Sequence, residues 1–401
     1  MQTSRPADTY NPTYFLASLG AGGIVVTFFM FLMFWIPHPG QPVPVFEDIM
    51  AAWATGAPLT QATIAVAMVG IAFFAFLNIK SLIGNLQSWA AFRKTPAYEA
   101  LTNSNAEASA LAMPLAMAMT VNVGFIVGLV FVPQLWSIVE YLFPAAMVAF
   151  ALIGLLAFRM IGSYLSRVLG EGRGFNPEAN NSFVQMVPAF ALTMIAVGFA
   201  APAAMSTAKL TVSASLILST FLAVISVVYV LAAAFPAIAS MLRNGVAREA
   251  APTLMIIVPI VTVLSILMLR QSHGLHTTFD AHANSGETLV FLTQMLSIQV
   301  AFLLLGGAVL KAQGYFKDFV IGSKTSPGSY ALVCPAVAFS VLLHFFANKG
   351  LVGAGVVEKF GAGYWAVTAI AIAAQIIAIV MVLRLNRQHF RRVDAAAIPA
   401  E

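Results

Sequence analysis

The chain has 401 residues, of which 60% are hydrophobic and only 9% charged, with a mean hydropathy of +0.89. A soluble domain carries about a quarter charged residues, so this composition excludes cytosolic enzymes, secreted disulfide scaffolds, disordered chains and nucleic-acid binders, and leaves an integral membrane protein. The net charge of +5 takes its meaning from which side of a membrane each basic residue occupies, and the single cysteine, Cys334, permits no disulfide within the chain.

A bilayer-crossing helix needs about 20 predominantly apolar residues. Ten such stretches stand between polar breaks, at about 13–36, 60–85, 108–132, 136–165, 182–205, 210–240, 252–269, 287–311, 328–347 and 362–386. The first reads as a retained span rather than a signal peptide, because its apolar run is too long and lacks an A-x-A-like exit. The organisation is then an N-terminal tail over 1–12, one transmembrane domain over 13–386 and a C-terminal tail over 387–401, its end after Arg392 expected to be disordered. Sixteen of the 20 Lys and Arg fall in the tails and alternate loops on one side, and four (Lys209, Arg270, Lys349, Lys359) on the other. The positive-inside rule therefore places both termini in the cytoplasm, as expected in a bacterial-type inner membrane. The basic excess reads as topology and as contact with anionic lipid.

Along the chain, span 1 carries Gly20, Gly22 and Gly23 in SLGAGGIVV. Span 3 carries Pro114 in MPLAMAMT, span 5 Pro188 in VPAFALTM, span 7 Pro259 in VPIVTVLS and span 9 Pro335 in CPAVAFSV, at spacings of 74, 71 and 76 residues. This period predicts an all-α membrane fold of five αα-hairpins, whose odd-numbered helices are kinked near their middles by glycine or proline. Interior prolines free carbonyls that lipid cannot satisfy, so the odd helices should face inward and surround a central pore. No Asp, Glu, Lys or Arg falls within the odd spans as bounded here, and Thr120, Asn122, Thr193, Thr262 and Ser340 are the candidate polar residues of the lining. Without intramembrane ionisable groups, a proton relay or ion-coupled pump is disfavoured and a passive pore remains. Hydroxyls bonded back to their own helix are the competing reading.

The connection after span 7, RQSHGLHTTFDAHANSGE, holds His273, His276 and His282 beside Asp280 in what reads as an outer loop. Their spacing matches no established metal site, so neither a metal nor a cofactor is expected. No phosphate-binding or dinucleotide fingerprint occurs, and no enzymatic activity is expected.

From the glycine-rich YFLASLGAGG of span 1, through MP in span 3 and SYALVCPAVAF in span 9, to span 10, the chain resembles the TehA-like, slow-type anion channel family, also called the tellurite-resistance/dicarboxylate transporter family. The resemblance implies ten helices in five hairpins around a five-helix pore, a homotrimer, small anions as the transported species and a phenylalanine that blocks the pore. It places that gate on the ninth helix, where Phe339 stands four residues beyond Pro335 and so on the same face, with Phe345 and Phe346 nearby. Cys334 immediately before the proline departs from the family pattern and is similar to the TsoY-like branch, where the position is cysteine or selenocysteine. The expected function is a passive channel or facilitative carrier for small anions. The alternative is a thiol-dependent membrane enzyme, or a carrier of sulfur or selenium oxyanions, with Cys334 as the reactive thiol.

Overall fold

A computed structural model describes residues 7–390 apart from residue 283. Arg5, Arg391, Arg392 and the tail beyond them lie outside the described residues. Among the described residues ten helices are long and apolar enough to cross a membrane: Pro12–Trp35, Pro58–Phe92, Asn105–Phe131, Leu135–Gly170, Phe183–Met205, Lys209–Asn244, Arg248–Phe279, Ser285–Ala312, Pro327–Val352 and Ala362–Phe390. They are called spans 1 to 10. No strand occurs among the described residues, and the chain is an integral membrane protein. Tyr14 Oη lies 3.3 Å from His389 Nδ1, which puts the start of span 1 and the end of span 10 together at what is here called the terminal end.

Odd and even spans differ in what surrounds them. The most apolar 18-residue stretch is 94, 50, 94, 67 and 72% buried in spans 1, 3, 5, 7 and 9, against 39, 28, 22, 17 and 33% in spans 2, 4, 6, 8 and 10. Such stretches are hydrophobic all round, so hydropathy alone cannot say which side faces protein. Burial decides it, with Phe76, Leu152, Phe235, Leu304 and Ile377 of the even spans left bare for hydrocarbon. Each odd span packs on the even span that follows it, and the odd spans touch one another in the order 1–3–5–7–9 and back to 1. Polar side chains fasten the pairs where lipid could not satisfy them. Asn78 of span 2 donates to Ser18 O of span 1 at 2.8 Å, and Gln299 of span 8 donates to Thr262 Oγ1 of span 7.

The repeated prolines do a different job from the one expected of them. Spans 3, 5, 7 and 9 each begin as a 3-10 segment, and the α-helix proper starts at Ala112, Val187, Ile257 and Val333. Pro114, Pro188, Pro259 and Pro335 are therefore second or third residues of α-helices and do not interrupt them in their middles. In a first turn the missing N–H breaks no intrahelical bond and the fixed φ is already helical. The proline marks where the tighter 3-10 turn hands over to the α-helix. Span 1 makes the same change after Pro12–Tyr14, with no proline in the first turn of the α-helix.

Gly20, Gly22 and Gly23 are likewise not kinks, since the helix runs unbroken over Phe15–Trp35. Their role is close approach. A Cβ on Gly20 or Gly23 would stand 2.8 Å from Val333 Cγ1 or Val337 Cγ1 of span 9, and one on Gly22 would stand 2.8 Å from Met119 Cγ of span 3. Small residues let neighbouring membrane helices press backbone to side chain in this way. A real break occurs in span 5, where the helix ends at Phe199 and restarts at Ala201 ahead of Pro202. At the far end of span 7 the helix runs on to Phe279 and stops where Asp280 turns left-handed at φ 53°. At the C-terminus the tenth span continues through residues 387–390, which were expected to belong to the tail.

Candidate functional site

A cavity of about 690 Å³ occupies the middle of the molecule, and all five odd spans contribute to its wall. Along span 9 the lining residues are Cys334, Val337, Ala338, Val341 and Phe345, with Lys349 one turn further on. These positions follow the helical repeat of three and four, one stripe of a helix facing a common space. Span 7 presents a longer stripe, from Pro259 through Thr262, Val263 and Ile266 to Arg270, His273 and His276. Of the even spans only Ala146 and Phe150 of span 4 and the first turn of span 8 reach it. His38, Gln41, Asn284 and Lys349 line its mouth, so it opens at the far end, away from the two termini.

The floor is apolar. Phe190, Pro259 and Cys334 border both this cavity and a much smaller pocket of about 30 Å³ on the terminal side, bounded by Leu16, Leu115, Val187 and Ile256 among others. Phe190 is 3% exposed and stands between the two spaces. One ring, one proline and one thiol are thus the side chains common to both spaces.

The mouth is cationic. Arg270 and Lys349 line it together with His38, His273 and His276, and no Asp or Glu lines it among the described residues. The Arg270 side chain crosses to span 5, where Nη1 donates to Val197 O at 2.8 Å. That carbonyl lies just before the break at Ala200. Such a break frees carbonyls that need side-chain donors, and Ser215 Oγ caps the neighbouring Phe199 O in the same manner. Among the described residues Arg270 pairs with no carboxylate.

Several expected site residues sit elsewhere. Of the five polar candidates, Asn122 and Thr262 line the cavity and Thr120, Thr193 and Ser340 do not. Thr120 and Thr193 donate to Ala116 O and Ala189 O, one turn back on their own helices, at 2.9 and 2.7 Å. Phe339 is half-buried among hydrophobic neighbours and off the lining stripe. The reason is angular: the stripe on span 9 runs through Cys334 and Ala338, whereas Phe339 shares its face with Pro335, which does not line the cavity. Of the two neighbouring phenylalanines, Phe345 lines it and Phe346 does not. Of the glycines, Gly20 and Gly23 form part of the wall, while Gly22 faces spans 2 and 3. His273 and His276 belong to the helix of span 7 rather than to a loop, and His282 is exposed away from the cavity. No group of three or more His, Cys, Asp or Glu placed to hold a metal occurs among the described residues.

Arg270 and Phe190 were missed in the sequence. Hydropathy ends span 7 at residue 269 and so assigns Arg270 to a loop, although a basic residue with apolar neighbours three and four places before it already signals a continuing helix. Phe190, two residues past Pro188, is one of 31 phenylalanines and carries no signal of its own. No family model, curated protein or solved structure matches the chain.

Proposed function

We propose that the chain is a passive channel or facilitative carrier for small anions, with the central cavity as its route and Phe190 as the gate. The observation that carries this reading is a cavity walled by all five odd spans, cationic at its mouth, free of carboxylates among its described lining residues and bordered at its inner end by Phe190, Pro259 and Cys334. Cations at a pore mouth raise the local anion concentration, and a hydrophobic constriction can hold a pathway shut by excluding water. The resemblance to the TehA-like family supports the same reading, with Phe190 of span 5 taking the place expected for Phe339 of span 9. It also implies a homotrimer, which a native mass measurement tests.

The distribution of basic residues supports cytoplasmic termini in an inner membrane and a cavity mouth on the opposite side. A His276→Cys variant in a Cys334→Ala background should then react with an impermeant thiol reagent added outside intact cells; reaction only after the inner face is exposed would reverse the orientation.

The experiment that tests the function is flux through the purified protein in liposomes, using a panel of chloride, nitrate, sulfite, tellurite and malate. Protein-dependent flux of at least one anion without a coupled proton or cation is expected, and its absence across the panel would refute the reading. One observation favours a second reading, a thiol-dependent carrier: Cys334 borders both the cavity and the inner pocket. Cys334→Ser separates the two, because flux within about twofold of wild type supports the channel and loss of flux with intact folding supports the thiol.

A further inference from the structure

We infer that Arg270 and Lys349 form a two-cation subsite at the cavity mouth that binds an oxyanion through two or more of its oxygens. The inference deepens the transport reading and rests on the same cavity. A guanidinium carries five N–H groups in a planar fork. Here one of them is committed to Val197 O, and no other protein acceptor meets the rest among the described residues. The bond to Val197 holds the fork in place at the break of span 5, so its free edge is presented to the cavity already oriented. A fixed fork matches two acceptor oxygens bidentately, a geometry that a monatomic halide cannot use.

Lys349 supplies the second charge. It sits in the π-helical segment Phe346–Val352 that ends span 9, a wide turn of the kind that often marks functional positions. Arg270 and Lys349 line the same cavity from spans 7 and 9, and His273, one turn beyond Arg270 on span 7, lies within electrostatic reach of Lys349 and of His276. The His276 ring is committed in a different sense: Nδ1 lies 2.8 Å from Ala281 O and must donate to it, which leaves Nε2 of the neutral ring as an acceptor. Arg270 and Lys349 are the Arg and Lys side chains among the described lining residues. With no carboxylate among the described lining residues to neutralise them, a held guanidinium and an exposed ammonium suit a singly or doubly charged oxyanion.

The test is binding of inorganic sulfate and of chloride to the detergent-purified protein, followed as the rise in unfolding temperature at millimolar anion and constant ionic strength. In wild type the half-saturating sulfate concentration is expected to lie about tenfold or more below that of chloride. Lys349→Gln should weaken sulfate binding about tenfold. Arg270→Lys keeps the charge and loses the fork, so it should bind both anions with little preference. Should Arg270→Gln fail to fold, because Val197 O then loses its donor, Lys349→Gln and Arg270→Lys still decide the matter. Equal half-saturation by sulfate and chloride in wild type, or unchanged binding in both of those variants, would overturn the subsite. Binding without liposome flux would instead refute the transport reading and leave the subsite standing, and flux without binding would do the reverse.

Discussion

At the terminal end of the molecule basic side chains meet acidic ones, whereas at the cavity mouth they do not. Arg167 pairs with Glu107, Arg173 with Glu171, and Arg248 and Lys324 both with Asp318. The Arg167–Glu107 pair joins the end of span 4 to the start of span 3, Arg248–Asp318 joins the start of span 7 to the connection between spans 8 and 9, and the other two pairs lie within single connections. At the mouth, Arg270 and Lys349 face a cavity with no carboxylate in its lining. An ion pair satisfies its own charges and fastens elements together; an unpaired cation beside apolar wall is costly unless water or an anion compensates it. The same residue types thus serve as fasteners at one end and stand without carboxylate partners in the lining at the other. A charge substitution should accordingly disturb stability at the terminal end and anion handling at the mouth.

The largest expected effect lies between the two ends, at the apolar floor. Phe190→Leu removes the ring that parts the cavity from the inner pocket while keeping an aliphatic side chain in place. Flux per folded protein should rise at least about tenfold, equivalent to about 1.4 kcal/mol off the barrier. The leucine variant is preferable to Phe190→Ala, because truncating a buried phenylalanine can cost about 3–5 kcal/mol of stability and would confuse gating with unfolding. Phe339→Leu should leave flux near wild type. An increase in Phe339→Leu with none in Phe190→Leu would return the gate to span 9.

How far the sequence could be read follows from what each kind of signal measures. Hydropathy measures length and apolarity, and it found all ten spans, the position of every one matching a helix to within several residues except at the far end of span 7. There the polar run from Arg270 onward lowers hydropathy while the helix continues, and the error removed the main cation of the mouth from consideration. The proline period identified the inward helices, because all four prolines open helices that belong to the inner ring. It misjudged their depth, because a first-turn proline and a mid-helix proline look alike in a string of letters. Which face of span 9 lines the cavity depends on the rotation of the helix, to which a run apolar all round gives no clue. Phe339 and Ala338 are adjacent in sequence and about 100° apart around the axis, and only packing chooses between them.

A smaller effect is expected from the pair at the terminal end. Glu107 and Arg167 have side chains 12% and 24% exposed, more enclosed than a surface pair and wetter than a core one. Glu107→Gln should lower stability by about 1–2 kcal/mol, between the ranges for exposed and buried pairs. Flux of the folded fraction should stay within about twofold of wild type, since neither residue lines the cavity. A Glu107→Gln variant of full stability but altered anion selectivity would contradict the division of labour between the two ends.

The smallest effect, and the most direct reading of a paired carboxylate, is expected at Asp318. The Lys324 ammonium, 3.0 Å away, and the Arg248 guanidinium, 2.7 Å away, hold its carboxyl below the ordinary carboxylate range. A depressed folded-state value means that the unfolded chain takes up the proton first as pH falls. The contribution to stability is therefore complete above the ordinary range, near about 4, and fades as pH drops through and below it. Asp318 is partly exposed, so salt should weaken the contribution as well. In wild type, acidification from pH 6 to pH 3 should lower the unfolding temperature slightly more than it does in Asp318→Asn, and the difference should shrink at high salt. Near pH 7 the substitution should leave flux unchanged. An equal acid response in the two proteins would mean that these contacts contribute nothing at the terminal end, and the contrast with the mouth would then rest on Glu107 and Arg167.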